Sequence, residues 1–398
     1  MLFCKSSQNR QPALVAGLAV VLLALNLRAS ISSASALLDS LSKDLALDPV
    51  VVSSVTALPL LAFAVGGVCT ARFVARLGLG RTLCLALVTL GVGLALRGVP
   101  ASWSLVLGTA VGMLGLAVCN VALPAFIRQH FPGRVSFMTS IYTTMMAAGA
   151  TIAAASSVPL ATLLGSSSLG LATWALPAIV AAIAWIPFVA ARGTEAATAS
   201  DAAVKLRDVA KTRFGRLITG YFAVQALNCY VMIGWLPSLL GDSGVSAVSS
   251  GLLLAVMQGV GIPTTFIVLA LTSTPERTRL AFLVVSVSMI AGFTGLLVAP
   301  ASGTVVWVTL VGVGLCSFPL ILATISRSGT TAAEVTAVSA LAQSVGYLVA
   351  AVGSTLFGLL GTLTGGWVLP MGVLLLFAML QLVLGLAFTK RTSTSVES

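Results

Sequence analysis

The sequence predicts an all-α integral membrane protein with twelve transmembrane helices in two six-helix bundles and with both termini in the cytoplasm. Three observations predict this fold class. The composition is rich in apolar residues, twelve apolar segments are long enough to cross a bilayer, and the basic residues are concentrated in alternate connections between those segments.

The composition excludes a water-soluble fold. Of the 398 residues, 58% are hydrophobic and only 8% are charged. A soluble protein needs a charged surface and has roughly 25% charged residues. Lipid must therefore cover most of the surface of this chain.

Twelve segments satisfy the length requirement for a membrane span, which is about 20 mainly apolar residues. Gly and Pro recur inside them, as in Gly108-x-x-x-Gly112 and at Pro124 and Pro319. Small residues let membrane helices approach closely, and proline is tolerated where neighbouring groups compensate. The predicted spans are residues 12–38, 50–71, 82–99, 103–127, 136–160, 171–191, 216–240, 248–271, 280–299, 304–325, 335–361 and 367–389.

The basic residues orient these spans. With the amino terminus inside, 18 of the 21 basic residues fall in cytoplasmic segments, as the positive-inside rule requires. The net charge of +11 is therefore explained by topology, and no nucleic-acid partner is expected. Lys43 and Arg97 are predicted in outer connections, and Arg28 lies within the first span. The 18 are Lys5, Arg10, Arg72, Arg76, Arg81, Arg128, Arg134, Arg192, Lys205, Arg207, Lys211, Arg213, Arg216, Arg277, Arg279, Arg327, Lys390 and Arg391.

The longest polar segment divides the chain into two halves. Residues 192–215 are predicted as a cytoplasmic linker between an N-terminal bundle, residues 1–191, and a C-terminal bundle with a short tail, residues 216–398. The halves share faint repeats, such as "ALN" at 24–26 and at 226–228. Two homologous bundles typically hold a substrate site at the midplane between them.

The first span admits two interpretations. Lys5 and Arg10, the apolar run that follows and Ala34-Ser35-Ala36 fit a cleavable signal peptide. Alternatively, the segment is a retained membrane helix that carries Arg28. We expect the retained helix, because its removal would leave eleven spans and break the balance of two six-span halves.

Motifs for bond chemistry are not found. The "GDSG" at 241–244 is similar to a serine-protease nucleophile motif, but the only histidine, His130, is predicted in a loop on the opposite side. The six cysteines form no Cys-x-x-Cys pair or Cys/His cluster, so neither a metal site nor a disulfide framework is expected. We predict no enzyme activity, no metal and no cofactor.

Several motifs carry a resemblance to a known family. They are "LNLRASISSASALLD" (25–39), "NVALPAFIRQHFPGR" (120–134), "MTSIYTTMMAAGA" (138–150), "GWLPSLL" (234–240) and "RSGTTAAEVTAVSALAQSVGYLVAAVG" (327–353) before "TGGW" (364–367). With the twelve spans, these motifs resemble the major facilitator superfamily, and within it the cyanate and 2-nitroimidazole permease family. The resemblance implies the major facilitator fold. The chain departs from the pattern at Ala29, where the family usually has proline.

Arg28 is the sharpest candidate for a functional residue. A central arginine costs about 2.5–3.5 kcal/mol on insertion scales, and such residues usually face a cavity or a partner. No acidic residue is predicted deep in any span, so Arg28 suits a small anion or an electron-rich polar ligand. The alternative is a structural bracket in which the arginine binds helix-end carbonyls.

Uncharged polar and aromatic residues inside the spans are further candidates for substrate binding. The amide side chains need hydrogen-bond partners in lipid, so they either orient substrate or bond neighbouring helices. Asn228 is another amide inside a span to which these two interpretations apply. The aromatic side chains either wall a small planar substrate or pack ordinarily. With Arg28, the predicted substrate-binding set is Asn26, Asn120, Tyr142, Gln225, Tyr230, Trp235, Gln258, Gln343 and Tyr347.

Cytoplasmic arginines are candidates for gating. The segment "ARFVARLGLGR" (71–81) resembles a degenerate form of the loop that gates major facilitator transporters, without its usual aspartate. The alternative is that these charges only set topology. The predicted gating residues are Arg72, Arg76, Arg81, Arg128, Arg134 and Arg327.

These observations favour a secondary active or facilitative transporter that moves a small anion or polar solute, cyanate-like or nitroimidazole-like, by alternating access. The alternative is a multidrug or toxic-compound exporter of the same fold. The expected partners are a small-molecule substrate, the lipid bilayer and a coupling proton or counter-anion, with Asp39 as a minor candidate for a proton site. The expected location is the cytoplasmic membrane of a bacterium.

Overall fold

The computed structural model describes residues 10–131, 134–189, 206–326 and 332–394, and within them the secondary structure is helical. Twelve helical segments of the described residues are long and apolar enough to cross a membrane, as predicted. The helices are α1 (Arg10–Ala36), α2 (Leu38–Asp44), α3 (Pro49–Leu77), α4 (Leu79–Leu96), α5 (Ser102–His130), α6 (Val135–Leu164), α7 (Ser167–Ala172), α8 (Ala175–Val189), α9 (Leu206–Lys211), α10 (Arg213–Asp242), α11 (Ala247–Ala270), α12 (Pro275–Val298), α13 (Thr304–Leu315), α14 (Ser317–Ser326), α15 (Ala332–Thr364) and α16 (Val368–Thr394).

Capping residues in the sequence mark where several helices begin. The hydroxyls of Ser166, Thr212, Ser246 and Thr274 each accept a hydrogen bond from a backbone N–H in the first turn of α7, α10, α11 and α12. A serine or threonine in this position satisfies one of the N–H groups that the helix itself leaves without a partner. Helix α6 ends instead at Gly165, whose φ of 64° is left-handed and favours glycine.

The chain divides into two compact units. Unit 1 comprises Met1–Leu37 and Val65–Ala199, and unit 2 comprises Leu38–Ala64 and Ser200–Ser398. Helix α2 and the first part of α3 thus group with the second half of the sequence. The boundary inside α3 was not foreseen, because hydropathy shows where a span lies and not which helices it packs against.

In unit 1, α1 packs against α6 and α8, while α4 packs against α5 and α8. Glycines make the α4–α5 contact close: a Cβ on Gly93 would lie 2.7 Å from the carbonyl oxygen of Gly108, and closer to the backbone of Gly112. The Gly108-x-x-x-Gly112 motif thus meets a third glycine on α4. This is the close approach that small residues permit in membrane bundles.

In unit 2, α10 packs against α15 and α16, while α12 packs against α13 and α16. Helix α10 is buried without interruption from Tyr221 to Leu240 and is therefore central to this unit. Many large apolar side chains elsewhere are exposed, among them Leu163, Ile186 and Leu363. Apolar exposure on this scale fits helices that face lipid rather than water.

Candidate functional site

Helix α1 places Arg28 in unit 1, where its side chain is half-buried. Asn26, two residues earlier, is buried, and its Nδ2 lies 2.8 Å from the carbonyl oxygen of Leu22 and 3.2 Å from that of Pro177 on α8. The amide N–H groups of Asn26 thus hold α1 against α8. This is the interhelical bonding that the sequence left open as the alternative for the polar residues.

Two further predicted residues lie in unit 1. Asn120 on α5 and Tyr142 on α6 are both half-buried. Unit 1 is also distinctive in charge, since its described residues include no aspartate or glutamate. The described residues of unit 1 therefore hold Arg28 and Arg97 without a carboxylate among them.

An aromatic cluster forms in unit 2 around Tyr347 of α15. Its ring centroid lies 5.4 Å from that of Phe63, 5.7 Å from that of Phe222 and 6.0 Å from that of Tyr230. Tyr230 and Tyr347 were predicted, and the structure brings them together. Phe63 was missed, because it lies about 170 residues before Tyr230 in the sequence and only the tertiary structure brings it there.

A buried polar network joins α10 to α16. The Nδ2 of Asn228 donates to the Oε1 of Gln381 at 2.8 Å, and the Nε2 of Gln381 donates to the hydroxyl of Tyr221 at 3.3 Å. Gln381 and Tyr221 were not predicted. A signal for Tyr221 existed, since Tyr221, Gln225 and Asn228 follow the i, i+4, i+7 spacing of one helix face. Gln381 stands alone in an apolar segment and gave no comparable signal.

Gln225 differs from its neighbours in this network. Its side chain is 0% exposed, yet neither its Nε2 nor its Oε1 has a hydrogen-bond partner among the residues that the structure describes. A buried amide without partners costs free energy, about 1–3 kcal/mol. Gln225 is therefore a predicted residue of unit 2 whose amide groups are both left unused by the described residues.

The other predicted residues of unit 2 have internal partners. The Nε1 of Trp235 lies 3.1 Å from the carbonyl oxygen of Ser354 and 3.2 Å from its hydroxyl. Gln343 is half-buried and donates to the Ser339 hydroxyl at 2.7 Å. Gln258 on α11 is buried. Trp235 and Gln343 thus each bond a residue of α15.

Asp39 on α2 is held in unit 2 by α10. The Ser238 hydroxyl donates to its Oδ1 at 2.6 Å. Burial raises the pKa of the Asp39 carboxyl; the Ser238 hydrogen bond opposes this effect, Asp242 reinforces it and Lys43 opposes it. The folded protein thus holds the proton of Asp39 more tightly than the unfolded chain does.

This raised pKa predicts how stability depends on pH. Since the folded state binds the Asp39 proton more tightly, stability is greatest below the ordinary pKa of 3.8 and falls as pH rises from there through the folded pKa. We expect Asp39→Asn to remove this fall, measured as the unfolding midpoint of the purified protein between about pH 4 and 7. Asp44→Asn, an exposed position on the same helix, is the control and is expected to keep it. An unchanged pH profile in Asp39→Asn would contradict the assignment.

The predicted gating arginines that the structure describes are exposed. Arg81 on α4 donates from its Nε to the carbonyl oxygen of Val189 at 3.0 Å, which ties the start of α4 to the end of α8. Arg76, Arg128 and Arg134 are exposed at helix ends. Arg327 and the side chain of Arg72 lie outside the described residues.

One sequence-based placement needs correction, and the burial of another residue was not foreseen. His130 was predicted in a loop, but it is the last residue of α5, and its ring stacks on Phe126 with centroids 3.8 Å apart. Arg97 lies in the connection after α4, as predicted, but its side chain is only 1% exposed. It directly follows α4, and its burial results from packing against other helices, which a hydropathy pattern does not report.

Comparison with known proteins agrees with this architecture. The model of the Major Facilitator Superfamily matches residues 17–354. The chain is 32% identical over 365 residues to the uncharacterized transporter YycB of Bacillus subtilis, covering 91% of this chain and 90% of that protein. It is 31% identical to the 2-nitroimidazole transporter of Escherichia coli, covering 96% and 97% of the two chains. It is 26% identical to the cyanate transport protein CynX of the same organism, covering 88% and 91%.

Solved structures share the fold at low sequence identity. A bacterial homolog of the human lysosomal transporter Spinster, inward-facing and unoccupied, superposes with a TM-score of 0.79 at 15% identity, covering 95% of this chain and 97% of that one. A D-xylose-proton symporter superposes with a TM-score of 0.70 at 15% identity, covering 94% and 96%. At this identity, the likeness establishes the fold alone.

Proposed function

Given that this chain belongs to the major facilitator superfamily, and is a multi-pass membrane transporter and not an enzyme, we propose that it moves a small anion or polar solute of the cyanate or nitroimidazole kind by alternating access. The observation that carries this proposal is the charge of unit 1. Its described residues combine the half-buried Arg28 with no carboxylate at all. An arginine in such surroundings favours an anionic or electron-rich ligand.

Unit 2 supports a small, polar and planar substrate. The amide of Gln225 offers two N–H donors and a carbonyl acceptor that no described residue uses. Tyr230 lies on the same helix as Gln225, and its ring centroid lies 6.0 Å from that of Tyr347 on α15. Flat aromatic walls with a few polar groups suit a small conjugated solute. Two relatives are named for the transport of 2-nitroimidazole and cyanate, and both compounds are small conjugated solutes of this type.

Export of drugs by the same fold is the second candidate. A pocket for cationic drugs needs an acidic group at membrane depth, since a buried cation needs a partner. In the described spans, the acidic residues Asp242 and Glu276 both lie at helix ends. This distribution favours the anion over the cationic drug.

The remaining features of the proposal concern topology and coupling. We place the protein in the cytoplasmic membrane of a bacterium with both termini inside, following the predicted distribution of basic residues. We also retain residues 1–191 and 216–398 as the two homologous halves joined by the linker 192–215. A coupling proton or a counter-anion moves with or against the substrate.

A ligand screen tests the proposed substrate class. We expect cyanate or 2-nitroimidazole to raise the unfolding temperature of the purified protein, because a ligand that binds only the folded state stabilises it. The same compound should accumulate in proteoliposomes. Sodium chloride at equal ionic strength is the control for nonspecific anion effects. Stabilisation by ethidium, with no effect of cyanate, 2-nitroimidazole or formate, would favour the drug exporter instead.

A further inference from the structure

Three hydrogen bonds hold one face of α1 to the rest of unit 1. Trp185 Nε1 donates to the carbonyl oxygen of Ala19 at 3.2 Å, and Asn26 Nδ2 donates to that of Pro177 at 3.2 Å. Arg97 Nη1 donates to the carbonyl oxygen of Ser30 at 3.2 Å. The spacing of seven and four residues places all three contacts on one side of the helix.

Arg28 lies on another side of the same helix. At 100° per residue, it is rotated by about 200° from both Asn26 and Ser30. The three contacts therefore hold α1 on the side of the helix opposite Arg28. The rotation of α1 about its own axis decides the direction in which Arg28 points.

The segment directly after Arg28 is rich in serine, which weakens its helical hydrogen bonding. Residues 30–36 read "SISSASA" and hold four serines and no large side chain except Ile31. The Ser30 hydroxyl donates to the carbonyl oxygen of Asn26, and the Ser33 hydroxyl donates to that of Ser30. Serine hydroxyls that bond backbone carbonyls compete with the helix and often bend it. A hydrogen bond from outside the helix therefore helps to hold this segment in place.

Arg97 supplies that contact from a fully buried position. It follows the last turn of α4, where a positive charge is favourable at the negative end of the helix dipole. Its alkyl chain lies against Gly108, at which a Cβ would come within 3.1 Å of the Arg97 Cγ. The sequence provides glycine where the arginine needs room.

Packing alone does not account for an arginine at this position. Its Nε and Nη2 have no hydrogen-bond partner in the described part of the chain, and unit 1 offers no described carboxylate. Replacing a buried charge by an apolar side chain of similar volume is often neutral or stabilising. The bond to Ser30 is the contact that an apolar side chain would not make.

We propose that Arg97 is a positioning residue for substrate recognition, which fixes the rotation of α1 through the Ser30 carbonyl and so directs Arg28. This inference rests on the proposed function, in which Arg28 contacts the substrate. In this role Arg97 acts through the Ser30 carbonyl and not by contact with the substrate. It determines how firmly the turn that follows Arg28 is held to α4.

The first test needs no substrate. In the full-length protein, Arg97→Met keeps an unbranched apolar stem, shorter than that of arginine, and removes the N–H donors. We expect faster amide hydrogen exchange at residues 26–36, with an unfolding temperature equal to or above that of the wild type. Arg97→Lys keeps a charge and a donor and should exchange at an intermediate rate. Arg213→Met, an exposed arginine of unit 2, is the control and should leave exchange in α1 unchanged.

The second test measures uptake in proteoliposomes with cyanate or 2-nitroimidazole. Arg97→Met should raise the KM about tenfold with little change in the maximal rate, since a displaced Arg28 weakens binding of substrate. Combined with Arg28→Lys, the two effects should be less than additive, because both act through the same contact. Arg97→Lys should recover part of the affinity.

The outcomes separate this inference from the function on which it rests. Unchanged exchange at residues 26–36 in Arg97→Met overturns the inference, whatever the substrate is. Faster exchange with an unchanged KM, or with fully additive effects, shows a structural contact that does not act through Arg28 and also overturns it. Wild-type protein that takes up neither compound overturns the proposed substrate class, while the exchange result still decides whether Arg97 orders this segment.

Discussion

Arg28→Ala is expected to abolish substrate-dependent uptake, with a loss of about 100-fold or more in transport efficiency. Removing a charged hydrogen-bonding partner of a desolvated ligand costs about 2–5 kcal/mol. The described residues of unit 1 include no aspartate or glutamate, so no carboxylate there compensates for the loss of Arg28. Uptake of cyanate or 2-nitroimidazole into proteoliposomes measures the loss.

Two variants make this result specific. Arg28→Lys keeps the charge but not the planar fork that binds an anion through two hydrogen bonds, so its uptake should be intermediate. Arg213→Ala removes an exposed arginine of unit 2 and should transport as the wild type does. The Arg28→Ala protein must also elute and unfold as a folded protein. Undiminished uptake by that protein would overturn the anion site.

Gly149→Val is expected to prevent stable folding of unit 1. A Cβ on Gly149 of α6 would lie 2.8 Å from the carbonyl carbon and 2.9 Å from the Cα of Leu25, and closer still to the carbonyl oxygen. These are backbone atoms of α1, so no side chain can rotate away. Overpacking of a core usually costs about 1–3 kcal/mol, and a clash between two helix backbones belongs at or above the upper end. Leu25 precedes Arg28 by one helical turn, so uptake should be lost as well.

The control for this prediction is Gly17→Ala on α1. A Cβ there meets nothing within 4 Å, so the substitution should be neutral or stabilise the helix by up to about 1 kcal/mol. The measurement is the unfolding midpoint in detergent, together with the yield of monodisperse protein. A Gly149→Val protein with wild-type stability would show that α1 and α6 are farther apart than this structure has them.

The spans could be predicted because hydropathy and charge act locally. Each apolar segment must be long enough to cross the bilayer wherever its partners lie, and each basic residue favours the cytoplasmic side independently of the others. The same reasoning predicted Arg28, whose cost in lipid is evident from its position in an apolar run. It also placed Gln225 among the polar candidates inside the spans, but it could not show that neither end of the Gln225 amide has a partner in the described protein.

The site could not be predicted to the same extent, because its contacts join residues far apart in sequence. Gln381 bonds Asn228 across 153 residues, and Arg97 bonds Ser30 across 67. Asn26 was expected as a possible substrate ligand, but its amide donates to Leu22 and to Pro177. Whether a polar group in a span serves a ligand or a neighbouring helix depends on what lies within hydrogen-bonding distance.

Composition, hydropathy and the distribution of charge were enough to predict a twelve-span membrane protein with an arginine inside its first span. Those properties are sums over single residues and their immediate neighbours. Three features appear only in the folded protein: Arg97 is buried, α2 and the start of α3 group with the second half of the chain, and Phe63 packs against Tyr347. Such features follow from close packing, in which a side chain's environment is set by helices that the chain reaches only after folding.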